Sequence, residues 1–307
     1  MGLFIAEEEA LLEDVRHFST SVAGAEFNVA VGLTRLGHTV GYLTKLGRDP
    51  FGRQIIKVMN QNGIDTSLTV TSDDHATGFM LKSKTIHGDP DIYYYRKNSA
   101  ASTICPDDVK GLDLKAWDAI HLTGILPAIS ESAHQTTLCL MKKAKEAGIP
   151  IFFDPNLREQ LWKDRETMVQ SINCLASMAD YVMPGENEGK ILCGSDDPAK
   201  IGDFYLQNGA KTVIVKTGSD GAWAITKDQK LHVPAYVPKK IVDTVGAGDG
   251  FAAGVISAVL EELPLEKAIL RGNAIGVIQI MNVSDNEGLP TREELSRFMA
   301  ENQPKSY

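Results

Sequence analysis

The run Asp243-Thr244-Val245-Gly246-Ala247-Gly248-Asp249-Gly250-Phe251-Ala252-Ala253-Gly254 constrains the fold of this chain more than any other stretch. Two turn-forming glycines precede a pattern in which Phe251, Ala252, Val255, Ile256, Val259 and Leu260 recur at helical spacing, which predicts a turn opening directly into an apolar helix. The first amides of a helix have no intrahelical acceptor and stand at the positive end of its dipole, so such a turn is an anion site. Gly246 and Gly248 carry no Cβ and let the backbone close on a phosphoryl group, while Asp249 sets a carboxylate beside the bound anion. A hydroxyl that accepts a phosphoryl group needs a partner that orients it and takes its proton, and Asp249 is the candidate for both tasks. The plainer alternative is a loop with an Asp in the first helical turn.

Strand and helix patterns alternate around this turn, as in an α/β protein. Strands are expected over 2–6, 17–23 and 39–46, with a buried helix over 24–37 closed by Gly37 and another over 49–62 ending at Gly63. From Trp117 onward, strands over 119–122, 150–154, 181–183 and 212–216 alternate with helices over 134–147, 165–177 and 197–208. A hairpin over 222–226 and 231–234, a helix over 265–281 and a last helix from Thr291 complete the pattern. Residues 78–86 and 91–97 instead read as two strands across a Gly88-Asp89-Pro90 turn with no helix between them. Paired with the first strands, that hairpin forms a small sheet standing off the body. The expected division is a discontinuous lid, 1–24 with 67–100, and a nucleotide- and substrate-binding core, 25–66 with 101–307.

Composition narrows the function. With 307 residues, 43% hydrophobic and 23% charged, the chain suits one large core with a small appendage. No apolar run approaches membrane-spanning length, and the acidic start Met1-Gly2-Leu3-Phe4-Ile5-Ala6-Glu7-Glu8-Glu9 lacks the basic region of a secretory signal, so a cytoplasmic protein is expected. Four scattered cysteines show neither disulfide nor zinc spacing. A net charge of -9 argues against nucleic acid, and requires that cations for an anionic ligand be gathered locally.

At its full length the run Asp243–Gly254 resembles the C-terminal signature of the PfkB, or ribokinase-type, carbohydrate kinases. The resemblance extends over essentially the whole chain and implies a ribokinase-like three-layer α/β sandwich with a β-sheet lid that closes over the substrates. It implies ATP as phosphoryl donor, Mg2+ as cofactor, Asp249 as catalytic base, and the amides of Gly246, Ala247 and Gly248 as anion hole. Lys216-Thr217-Gly218-Ser219-Asp220-Gly221 resembles the nucleotide-binding turn, with Lys216, Gly218 and Gly221 joining Gly246 and Gly248, and Asn273 matches a position near the adenine. Glu188 falls on the acidic position of the family's Asn-x-x-Glu, an indirect metal role, although Gly185 stands where Asn or Ser is usual. Asp243 marks the place of a monovalent cation, K+ in particular. The family also implies a homo-oligomer.

The substrate hint lies in Tyr93-Tyr94-Tyr95-Arg96-Lys97-Asn98-Ser99-Ala100 and Phe153-Asp154-Pro155-Asn156-Leu157-Arg158, each placing a guanidinium at a strand end. A neutral sugar is held by Asp, Asn and backbone groups, whereas a sugar acid calls for a bidentate cation. With Gly24-Ala25-Glu26-Phe27-Asn28, these strings are similar to the 2-keto-3-deoxygluconate kinase branch, which makes Gly24, Asn28, Tyr94, Arg96, Asn156, Arg158 and Asp249 the expected substrate contacts. A fructokinase or ribokinase is the alternative within the family, and a non-catalytic sugar sensor on the same fold is another. A nucleotide-linked dehydrogenase would need an early Gly-x-Gly-x-x-Gly, which is not found. Family members usually begin with a strand and an acidic Gly-Asp or Gly-Glu ahead of the residue aligned with Met1. The expectation is that roughly eight to ten residues of apolar strand lie upstream of it.

Overall fold

The computed structural model describes residues 1–84, 90–282 and 285–305. Strands β1 (Gly2–Ala6) and β2 (Phe18–Val22) lead into α1 (Ala25–Arg35), β3 (Thr44–Gly47), α2 (Pro50–Gln61) and β4 (Thr69–Ser72), then β5 (Phe79–Lys82) and β6 (Ile92–Tyr95). Next come β7 (Ile120–Thr123), α3 (Glu131–Ala147), β8 (Ile151–Asp154), α4 (Arg165–Ala176), β9 (Tyr181–Val182), α5 (Glu186–Cys193) and α6 (Pro198–Gln207). The chain ends with β10 (Thr212–Lys216), β11 (Ala222–Ile225), β12 (Lys230–Val233), α7 (Ala247–Leu260), α8 (Leu265–Ile280) and α9 (Arg292–Glu301). Helix starts follow from local chemistry: Asp49, Ser130, Asp164, Asp197 and Thr291 each accept a backbone N–H from the first turn of the helix they precede.

Alternation along the buried strands produces the layers. In β8, Ile151 and Phe153 pack with α3, α4 and α6 on one face, whereas Phe152 between them packs with α1, α7 and α8 on the other. In β10, Val213 and Val215 join the first core and Ile214 the second. A strand buried on both faces must lie between two helical layers. The sheet runs β12-β11-β10-β9-β8-β7, parallel from β7 to β10, with an antiparallel hairpin at the β12 edge. The parallel strands point their carboxyl ends, and hence Asp154 and Lys216, toward one end of the sheet.

The lid is a separate four-stranded sheet in the order β2-β1-β5-β6. Leu3, Ala23 and Met80 form its small inner core. Gly88 and Asp89 of the expected turn lie outside the described residues. The structure differs from the sequence reading in several places. The strand expected over 39–46 begins at Thr44, with Gly41 making only an isolated bridge to Asp65. β4 pairs in parallel with β3, so residues 69–72 belong with the core side rather than with the lid. Helix α5 has no counterpart in the sequence pattern.

The two-stranded sheet β3-β4 makes no pairing with β7, and both line one cavity of about 1230 Å³. Ala119, Ile120, His121 and Leu122 line it from the β7 side and Leu43, Thr44, Lys45 and Leu46 from the β3 side. At its other end the same cavity opens among Asn28, Arg96, Asp154, Arg158, Gly248 and Asp249.

Candidate active site

Helix α7 begins where the sequence pattern places it. Gly246 is its N-cap at φ 81, and a Cβ there would run into the carbonyl oxygen of Asp285, so this turn requires glycine twice over. The amides of Gly246, Ala247 and Gly248 precede the first intrahelical bond, from Gly250 N to Gly246 O, and Gly246 and Gly248 line the cleft. An added Cβ on Gly248 would find only the Lys216 ammonium, 3.9 Å away. A lysine therefore stands beside the candidate anion hole. Asp249, in the first turn, accepts from Asn28 Nδ2 at 2.8 Å on Oδ2 and from Asn156 Nδ2 at 3.5 Å on Oδ1. Burial, then Asp154, push its carboxyl up to about 6 against the pull of Asn28, Arg158 and Lys216. A carboxylate held near 6 is suited to take a proton at neutral pH.

The segment after β8 closes the other side. Asp154, 2% exposed, pairs with Lys216 at 2.6 Å. Burial opposes the charge on Lys216, but Asp154, Glu188 and Asp249 hold its ammonium above the ordinary lysine range. Asn156 sits at φ 40, a left-handed conformation that is strained for a residue with a side chain, and it aims its amide at Asp249. Glu188 accepts from Leu157 N at 2.9 Å and Gly185 N at 2.8 Å. Its two oxygens thus tie the start of α5 to the segment that carries Asn156 and Arg158.

On the opposite wall, Arg96 stacks over Tyr94 with Cζ 4.1 Å from the ring centroid. Its side chain is nearly buried, and its Nε has no hydrogen-bond partner among the described residues. Burial lowers its pKa to about 10, and Arg158 across the cleft adds to that. Among the described residues, Arg158 donates only to the carbonyl of Leu157. Among the described residues neither guanidinium has an acidic partner in an ion pair, which is unusual for cations in a protein of net charge -9. Gly24, the N-cap of α1, Tyr94 and Arg96 line the cleft with Asn28, Asn156 and Arg158.

The expected nucleotide contacts are spread more widely. Gly218, at φ 58 with nothing within 4 Å of where a Cβ would stand, leaves its backbone open to a ligand. Gly221 is required by the fold, since a Cβ there would strike the Val233 carbonyl. Asn273 is buried, and its Nδ2 donates to the carbonyls of Val233 and Pro234 at 3.1 Å each. Asp243 is engaged too, taking the Lys82 ammonium at 2.7 Å and the Val245 amide at 3.0 Å. That donor set does not fit a monovalent metal ion. Among the described residues no three His, Cys, Asp or Glu side chains could together hold a metal ion.

Three groups escape the sequence reading: Asp154 as partner of Lys216, Asn286, which donates to Asn28 Oδ1 at 2.9 Å, and Lys82. Asp154 has a findable signal, an acid at the carboxyl end of an apolar strand. The other two have none.

A family model described as pfkB family carbohydrate kinase matches residues 3–292. The chain is 44% identical over 301 residues to the 2-dehydro-3-deoxygluconokinase of Bacillus subtilis (strain 168), covering 98% of this chain and 93% of that protein. Among solved structures, the PfkB protein from Polaromonas sp. JS666 superposes with a TM-score of 0.89 at 41% identity, covering 96% of each chain. A putative Ribokinase II from E. coli, in complex with ATP and Mg2+, superposes with a TM-score of 0.89 at 25% identity over 97% of this chain and 96% of its own.

Proposed function

This chain belongs to the pfkB family of carbohydrate kinases, and on that premise we propose that it transfers the γ-phosphoryl group of ATP to the terminal hydroxyl of 2-dehydro-3-deoxygluconate, also called 2-keto-3-deoxygluconate. The observation that carries the choice of a sugar acid is the pair Arg96 and Arg158. Both line the cleft that holds Asp249, and among the described residues neither has an acid partner and the buried Arg96 Nε has no hydrogen-bond partner. An unsatisfied buried guanidinium is costly unless a ligand carboxylate completes it. The 44% identical relative acts by name on that sugar acid.

On this reading Asn28 and Asn156 fix the Asp249 carboxylate, which takes the proton of the attacking hydroxyl. The amides of Gly246, Ala247 and Gly248 and the ammonium of Lys216 meet the charge that develops on the transferring phosphoryl group. Mg2+ carried by ATP supplies further neutralisation of phosphate charge. The strand-ending turn at Gly218 offers backbone to the nucleotide, and the lid carrying Tyr94 and Arg96 excludes water. The substrates suit a cytoplasmic enzyme. The outer lid face presents Tyr93 and Tyr95, 58% and 52% exposed, a surface that fits a second copy of this chain.

A phosphotransfer assay against 2-dehydro-3-deoxygluconate, fructose and ribose tests the reading. The sugar acid is expected to give the highest kcat/KM. Arg158→Ala and Arg96→Ala are expected to lose about 1.5–3 kcal/mol of transition-state binding on the sugar acid and little on any neutral sugar that reacts. Equal losses on both substrates would mean that the arginines hold phosphate or the fold.

A further inference from the structure

Lys82 lies on β5, the lid strand between β1 and β6, and its residue is 4% exposed. It points inward with Met80, two residues away on the same face. Its ammonium reaches out of the lid to two carboxylates at once, Asp243 Oδ2 at 2.7 Å and Asp285 Oδ1 at 3.2 Å. These acids flank the turn that opens α7. Asp243 Oδ1 accepts the Val245 amide at 3.0 Å, and the Asp285 backbone carbonyl packs where a Cβ on Gly246 would stand. One cation from the lid therefore holds both sides of the anion-hole turn.

A lysine buried this deeply requires a reason. Burial works against its charge, yet Asp285 and Asp243 keep it above the ordinary lysine range. Without it, the buried Asp285 carboxylate and the partly buried Asp243 carboxylate would face each other across the turn with like charge. With both Asp243 oxygens already engaged, the ammonium occupies the place where an oxygen-ligated monovalent ion would be held.

We propose that Lys82 is a positioning residue for phosphoryl transfer: its ammonium stands in for a monovalent metal ion beside Asp243 and couples the lid to the helix N-terminal amides that receive the phosphoryl group. The inference rests on the kinase reading but not on the identity of the sugar. Its test is therefore run with whichever sugar the enzyme turns over best, and an enzyme that phosphorylates none of them fails at that earlier reading.

The experiment measures kcat and KM at constant ionic strength in K+, Na+ and tetramethylammonium chlorides, for the natural protein and for Lys82→Met, Lys82→Ala and Lys82→Arg. The natural protein is expected to vary less than about two-fold among the three salts. Lys82→Met is expected to lose about ten- to hundred-fold in kcat, with KM for ATP within a few-fold, because the amides are misplaced rather than removed. Lys82→Ala is expected to recover several-fold when K+ or methylammonium is added, at concentrations that leave the natural protein unchanged. That recovery separates a stand-in cation from a merely structural lysine. Strong K+ activation of the natural protein overturns the proposal without recourse to any variant. So does a folded Lys82→Met with natural kcat, or a Lys82→Ala whose loss no cation repairs.

Discussion

Asp249 is a carboxylate asked to ionise where ionisation is disfavoured, and its behaviour with pH follows from that. Burial and Asp154 lift it from 3.8 to about 6, so kcat/KM is expected to fall as pH drops below about 6 and to level off above it. The stability consequence has the opposite sense. The folded state binds this proton more tightly than the unfolded chain does, so ionisation of Asp249 weakens the fold progressively as pH rises from about 4 to about 6. Asp249→Asn escapes that penalty while keeping an oxygen for Asn28. Its melting temperature relative to the natural protein should rise between pH 4 and pH 7, while kcat drops by roughly 10²–10⁴ with ATP KM within a few-fold. A variant with natural kcat would remove Asp249 from the mechanism. The residue scale also shows where sequence reading stops. Asn28 and Asp249 are both legible as candidates, but Asn28 serves as a bridge, donating to Asp249 and accepting from Asn286, which lies 258 positions away. Nothing local to either Asn announces that chain.

Among the elements, the start of α7 is readable because every signal for it lies within a few residues, whereas α5 is not. α5 is eight residues long with Gly189 inside, too short for a periodic signal, and it is held by Glu188 reaching back to Gly185 and across to Leu157. The two glycines of the α7 turn are expected to separate fold from chemistry. Gly246→Ala places a side chain at φ 81 against the Asp285 carbonyl, so it should lower both the melting temperature, by at least about 1 kcal/mol of stability, and kcat, by about 10² or more. Gly248→Ala meets only the Lys216 ammonium at 3.9 Å, in the space where a phosphoryl group would sit. It should melt like the natural protein and still lose activity. Melting curves and kcat of the two variants check this, and a Gly248→Ala enzyme of full activity would move the anion hole elsewhere.

For the whole molecule, the unpaired flanks of β7 and β3 line the cavity of about 1230 Å³. Within it, among the described residues, His121 Nε2 is buried with no hydrogen-bond partner, and the α-ammonium of Met1 is buried against the Ala23 carbonyl at 2.7 Å, its pKa lowered by desolvation to about 5. The sequence by itself determined the alternating elements, the lid hairpin, the glycine turn with its aspartate and the two candidate arginines, because periodicity, caps and turn residues act over a few positions. Only the tertiary structure decided that Lys82 pairs with Asp243, that Asn273 bonds the Val233 and Pro234 carbonyls, that β4 pairs with β3, and that the Arg96 Nε is buried with no hydrogen-bond partner among the described residues. Those outcomes depend on which distant segments meet and how deeply each charge is buried, and burial and pairing are properties of packed surfaces rather than of any stretch of chain.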